Sequence, residues 1–170
     1  GTFEGTQDAY YRAVDGLKSQ GVELEFVGDV TDRVQLFAGY TYVDIEDNEG
    51  RSAKSFVPEH LAQFRGTWKV PGIEGLQLGS KVRWQSAISQ EQGVATTGPN
   101  AGTTIVTEQG SYAVIDLMAS YDFARNWNAT LNVNNVTDEK YIESLKKFGT
   151  SAQGFYGAPA NASITVSWVY

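Results

Sequence analysis

Residues 22–42 read Val-Glu-Leu-Glu-Phe-Val-Gly-Asp-Val-Thr-Asp-Arg-Val-Gln-Leu-Phe-Ala-Gly-Tyr-Thr-Tyr. Apolar and polar side chains alternate twice here, on either side of a Thr-Asp-Arg turn. Successive strand residues point to opposite faces, so this period of two is the signature of a half-buried antiparallel hairpin. One row is Val22, Leu24, Phe26, Gly28 and Val30, then Val34, Leu36, Ala38, Tyr40 and Tyr42. The other carries Glu23, Glu25, Asp29 and Gln35.

The same alternation recurs along the chain. Ala62, Phe64, Gly66, Trp68 and Val70 form a row, as do Leu76, Leu78, Val82, Trp84 and Ile88. Ala113 to Tyr121, Trp127 to Val133 and Ile164 to Tyr170 follow the same pattern. With a weaker candidate at Asp8–Val14, about eight strands are expected. No helical period appears, although Lys140–Phe148 allows one short helical turn. The predicted fold class is all-β, an antiparallel up-and-down transmembrane β-barrel segment.

The 170 residues carry 20 acidic and 13 basic side chains, a net charge of -7. That argues against a nucleic-acid binder, which needs a basic surface to displace counterions. No cysteine is present and His60 is the single histidine, so no thiol nucleophile, disulfide or multi-histidine metal site is available. His60 has no signalled nucleophile or metal partner and reads as structural. No nucleophile–base pairing marks an enzyme. No signal peptide is read at Gly1, and the chain begins as if cut from something longer.

Alternation alone does not say which face meets water. A soluble lipocalin-like barrel turns the apolar row inward; an outer-membrane barrel turns it toward lipid. Three features favour the second. Tyr40, Tyr42, Trp68, Trp84, Tyr121, Trp127, Trp168 and Tyr170 lie near strand ends, where amphipathic rings suit a membrane interface. Gly28, Ala38, Gly66, Ala113, Ala119 and Ala129 would fill a small closed core poorly. Connections alternate in length: short at Asp29–Arg33, Pro71–Gly75 and Asp122–Asn126, long at Asp44–Val57, Ser89–Gln109 and Val136–Asn161. That is the layout of barrels with tight turns at one rim and long loops at the other. The polar row, with Glu23, Glu25, Arg65, Lys81, Arg83 and Asp116, would then face a wet lumen. Those charges are expected to satisfy one another across neighbouring strands.

The acidic run Asp44–Gly50 fails the register of a calcium loop, with Glu49 at the sixth position and Ser55 at the twelfth. No metal site is assigned. Asn128, Asn135 and Asn161 head glycosylation-type triplets with no meaning in a bacterial setting. Gly93, Gly98, Gly102 and Gly110 are expected to make the second long connection flexible.

Blocks of sequence then bring a family into view. Ser19–Glu25, Gly28–Thr31 and Leu36–Tyr42 come first, followed by Val57-Pro58-Glu59-His60 and Val82-Arg83-Trp84-Gln85-Ser86. Tyr112–Leu117, Leu131–Tyr141 and Tyr156-Gly157-Ala158-Pro159 complete the series. In order and spacing they resemble the C-terminal part of TonB-dependent outer-membrane receptors of the ferric-siderophore branch. Ala160 stands where that family usually has Arg, and Tyr170 where it usually ends in Phe.

The resemblance implies that residues 1–170 form a C-terminal barrel portion, without the plug domain and the N-terminal barrel strands, and that the polar row as a set meets the plug. It implies TonB-dependent uptake of a ferric siderophore, with iron carried by the siderophore and no intrinsic cofactor. The implied partners are that chelate, outer-membrane lipid, the TonB complex through the missing plug, and the barrel assembly machinery through the last strand. It points to Trp84, Phe148, Phe155 and Tyr156 as ligand contacts, set against the plainer role of packing loops together. Two rivals stay open: a small complete structural outer-membrane barrel and a soluble ligand-binding barrel. An isolated piece is expected to close into an improvised barrel, stay an open curved sheet, or aggregate.

Overall fold

The computed structural model describes residues 16–53, 55–148 and 151–170, without the side chains of 146–148 and 151–153; the candidate strand at Asp8–Val14 lies outside them. The chain forms eleven strands among the described residues: β1 (Lys18–Thr31), β2 (Val34–Glu46), β3 (His60–Lys69), β4 (Leu76–Gln85), β5 (Ile88–Val94), β6 (Thr104–Gln109), β7 (Tyr112–Ala124), β8 (Trp127–Asn134), β9 (Ile142–Phe148), β10 (Ser151–Tyr156) and β11 (Asn161–Trp168). Seven of them make one antiparallel sheet in the order β1-β2-β3-β4-β7-β8-β11. Among the described residues the sheet is open, with β1 and β11 each paired on one side only. Strands of 8 to 14 residues are of the length that crosses a bilayer at a tilt.

Register joins the alternating rows across the whole sheet. Leu24 pairs with Tyr40, Tyr40 with Ala62, Ala62 with Trp84, and Trp84 with Ala113. Lower down, Leu78 pairs with Ala119, Ala119 with Leu131, and Leu131 with Ile164. A one-residue slip at any strand would have mixed the faces. Instead one face is apolar between the rims apart from Ser80 and His60, and it is open: Leu24 is 62% exposed and Ile164 73%. Leu78, Trp84, Leu117 and Trp168, all on this face, stay well exposed and do not meet in a centre.

Three tight turns join strands at one rim. In the first, Thr31 Oγ1 accepts the Arg33 and Val34 amides at 3.2 and 3.1 Å. In the second, Gly72 and Gly75 take φ of 79° and 80°, and a Cβ on Gly75 would strike Asp122 of β7. Long connections occupy the opposite rim. Two of them carry strand pairs, β5–β6 and β9–β10, each a two-stranded sheet of its own.

These hairpins correct two expectations. Lys140–Phe148 holds no helical turn, because Ile142–Phe148 is β9. Ile88 does not continue the β4 row but starts β5. In the second connection Gly93, Gly98 and Gly102 take φ of 138°, 82° and 89°, at its bulge and turn.

Candidate functional site

The buried centre of the molecule is small and lies at the loop rim. Val114 of β7, Ile88 of β5, and Tyr141 and Leu145 at β9 are its buried apolar side chains among the described residues. Val114 pairs with Arg83, so it belongs to the polar face. The loops therefore fold onto that face and leave the apolar one open.

One buried amide organises the last connection. Asn135 is 3% exposed and adopts φ 50°, a left-handed conformation in which Asn and Asp are enriched. Its backbone N–H donates to Asp116 Oδ1 at 2.9 Å. Its Nδ2 donates to the carbonyls of Glu139 (2.9 Å) and Ala158 (3.0 Å), and its Oδ1 accepts the Glu139 amide at 2.9 Å. Asp138, at φ 48°, accepts the Ala160 amide at 2.9 Å. The start and the return of the β8–β11 connection are thus tied at one point. Tyr141 then stacks on Tyr112 with ring centroids 4.2 Å apart. Gly157 donates its amide to the Tyr141 carbonyl, and a Cβ there would fall within the Tyr141 ring.

The other loops are stitched to this crown. Gln109 Oε1 accepts the Ile142 amide at 2.8 Å, joining β6 to β9. Ser55 and Ser89 exchange two hydrogen bonds of 2.9 Å, joining the β2–β3 loop to β5. Between them lies a rim cleft of about 450 Å³, with Val43, Ile45 and Ile88 as apolar lining and Glu59, Glu108 and Ser86 as polar lining. In the β2–β3 loop, Asp47 accepts the Glu49 and Arg51 amides and pairs with the Arg51 guanidinium at 2.8 Å. The Arg51 backbone amide, then its side chain, holds the Asp47 carboxyl below the usual carboxylate range. The acidic run is a self-bonded turn, and no cluster of metal-ligating side chains occurs among the described residues.

The sequence-selected aromatics fall into two bands on the apolar face. Tyr40, Tyr42 and Trp84 lie toward the loop rim, where His60 joins them. Tyr42 stacks on its ring at 5.0 Å, and Tyr40 Oη lies 2.8 Å from its Nδ1. Trp68, Tyr121, Trp127, Trp168 and Tyr170 lie toward the turn rim, with Trp127–Trp168 and Trp168–Tyr170 centroids 6.1 and 5.5 Å apart. Between the bands, from Ala113 opposite Trp84 to Tyr121, β7 runs eight residues, about 27 Å of strand.

The four ligand candidates are not brought together. Trp84 is on the apolar face. Phe155 and Tyr156 sit on β10, Tyr156 being 78% exposed, while the Phe148 side chain lies outside the described residues.

The charged candidates share the polar face. Glu23 and Glu25 are on β1, Arg65 on β3, Lys81 and Arg83 on β4, and Asp116 on β7. Arg65 pairs with Lys81 and Lys81 with Asp116. The set makes no direct ion pair: among the described residues, both ion pairs within 4.0 Å are made by Arg51 in the β2–β3 loop. Arg65 instead lies over the Phe37 ring at 5.8 Å, and Arg83 Nε is enclosed without a hydrogen-bond partner. Residues to which sequence reading gave no site role are Asn135, Asp138, Gln109 and Gly157. The run of turn-forming residues Asn134-Asn135-Val136-Thr137-Asp138 was the available signal.

A family model described as TonB dependent receptor-like, beta-barrel matches residues 1–136. Among curated proteins, the ferric-pyoverdine 358 receptor of Pseudomonas putida is 35% identical over 92% of this chain and 18% of its own length. The metal-pseudopaline receptor CntO of Pseudomonas aeruginosa is 28% identical over 84% of this chain and 20% of its own. Among solved structures, the pyoverdine outer membrane receptor FpvA of Pseudomonas aeruginosa PAO1 bound to pyoverdine superposes with a TM-score of 0.78 at 30% identity. That match covers 91% of this chain and 22% of FpvA. The chain spans about a fifth of the length of these relatives.

Proposed function

We propose that this chain, which belongs to the TonB-dependent receptor β-barrel family, is a wall segment of a larger receptor that takes up a ferric siderophore. The family is one of outer-membrane transporters and not of enzymes. The apolar face meets lipid, its two aromatic bands sit at the headgroup levels, and the polar face lines the lumen.

The observation that carries this reading is the arrangement of the two faces. A continuous apolar surface crosses all seven strands, while every ordered loop core lies against the polar side. A soluble ligand-binding barrel would bury the row that is open here. The open edges of β1 and β11 continue in the rest of the barrel wall, since unpaired backbone groups in hydrocarbon cost several kcal/mol each.

The ligand is held at the loop rim, where Phe155 and Tyr156 of β10 stand above the crown and an aromatic wall suits a bulky chelate. The chelate brings its own metal coordination, so the protein needs no metal ligands. The receptor's energy contact with TonB and its plug belong to the remainder of the protein.

The test is deletion of the parent gene followed by uptake of iron-55-labelled siderophores under iron starvation. Loss of uptake of one siderophore, restored by the gene and abolished without TonB, is the expected result. Unchanged uptake of every ferric siderophore, with loss of a non-iron metallophore, would replace the cargo. The similarity to the metal-pseudopaline receptor favours that second reading.

A further inference from the structure

We propose that β3 and β4 carry an anion track down the inner wall, used by a negatively charged metal chelate as it moves from the loop rim toward the turn rim. This deepens the uptake reading and rests on it for the identity of the passenger.

Four cationic side chains occupy one narrow strip. Arg83 stands toward the loop rim, paired with Gln63; Arg65 and Lys81 face each other in the middle; Lys69 stands toward the turn rim, paired with Gln77. From Arg83 to Gln77 is six residues, about 20 Å of strand. Like charges directly opposite one another are destabilising in a sheet. The Arg65–Lys81 pair is therefore a cost to the fold, which Asp116 across from Lys81 offsets without a direct ion pair. No carboxylate lies within ion-pairing distance of any of the four among the described residues. Asp116, the acid in register with Lys81, has its Oδ1 committed to the Asn135 amide. Arg83 Nε is enclosed and donates to nothing.

On the β2 side the nearest acids of this face, Glu23, Glu25 and Asp29, are on β1, with Thr41, Gly39 and Gln35 of β2 between them and β3; on the other side Asp116 of β7 borders the strip. Beside the strip, Arg65 and Lys81 line a cavity of about 270 Å³ with Asp116, Asn132 and Asn134. That volume admits the anionic arm of a chelate, such as a carboxylate or catecholate group. Cations spaced along the transit direction offer successive weak holds, which suits a ligand that must leave each site. Four cations against the one bordering acid, Asp116, leave the strip positive, and a positive wall concentrates anions, by about tenfold at the low end for a cleft of one sign.

Lys81 is the reporter. The full receptor, in outer-membrane vesicles, is treated with pyridoxal 5′-phosphate and with pyridoxal, each fixed by borohydride, and Lys81 labelling is read by mass spectrometry. The two aldehydes differ in the phosphate. The proposal expects the anionic reagent to label Lys81 about tenfold more than the neutral one. Citrate should protect it, and Arg65→Gln or Arg83→Gln should lower the preference at least about threefold. Equal labelling by both reagents, or a Lys81 that neither reaches because another part of the receptor covers it, overturns the track. This readout does not use transport. A receptor that carries no ferric chelate but shows the labelling pattern refutes the uptake reading and leaves an anion-binding wall. A receptor that carries the chelate without the pattern refutes the track alone. In a transporting receptor, Arg65→Gln/Lys81→Gln should slow uptake at unchanged surface binding; slowing at both steps equally would count against it.

Discussion

Arginine at position 131 and arginine at position 132 place the same charge at nearly one depth on opposite faces of β8. Leu131 is on the apolar face, paired with Ala119 and Ile164; Asn132 is on the polar face, paired with Met118 and Ser163. Leu131 lies four residues above Trp127 of the turn-side aromatic band, about 13 Å of strand and, at a 40° tilt, about 10 Å of height. The apolar band of such barrels is about 25 Å tall, so Leu131 sits near its middle. Arginine on a lipid face costs about 2–4 kcal/mol at that depth. Leu131→Arg should therefore lower the folded-to-unfolded ratio of the receptor by about 30- to 900-fold. Asn132→Arg, in a hydrated interior, should cost less than about 1 kcal/mol. The assay is urea unfolding of each receptor variant in lipid vesicles, followed by tryptophan fluorescence and heat-modifiable gel migration. Equal costs for the two variants, or a larger cost at Asn132, would refute the assignment of faces.

Asn135→Ala removes three side-chain hydrogen bonds and leaves a left-handed backbone to a residue that disfavours it; a loss of about 2–4 kcal/mol in crown stability is expected, read as faster proteolysis within the β8–β11 connection. Gly157→Ala drives a methyl into the Tyr141 ring and should cost about 1–3 kcal/mol by the same readout, with Tyr141→Ala in the same chain relieving part of it. The β2–β3 turn should loosen in acid. Because the Arg51 amide and guanidinium hold the Asp47 carboxyl below the usual carboxylate range, its contribution is intact above that range and is lost as pH falls through the depressed value; Glu49 and Arg51 amide exchange measures it, and Asp47→Asn should flatten the profile.

The sheet was legible because its information is local. Each strand announces its two faces by alternation, and each tight turn fixes the next register. Tyr40, Ala62, Trp84 and Ala113 could therefore be assigned to one apolar surface before any coordinates. The crown was not legible for the opposite reason. Ser144, Leu145, Lys146 and Lys147 in β9, or Gln90, Glu91 and Gln92 in β5, alternate nothing, because these hairpins pack against loops and not across a bilayer. The family resemblance marked Leu131–Tyr141 as a block but gave no physical reason for it. The reason is a set of bonds spanning 19 to 23 positions, from Asn135 to Asp116 and to Ala158, visible only once β7, β8 and the last connection are side by side. The charged strip was half legible: alternation put Arg65, Lys81 and Arg83 on one face, but the absence of a direct cross-strand ion pair depends on side-chain reach.

The Ser55–Ser89 and Gln109–Ile142 bonds also carry a mechanical consequence. Through them the hairpin β5–β6 is moored on both flanks, to the β2–β3 loop and to β9. A pull on any one of the three long connections is handed to the other two, as in a drawstring. Arrival of a guest at one side of the mouth would then be felt around this whole arc of it, and a single severed mooring at Gln109 would let the arc respond in pieces.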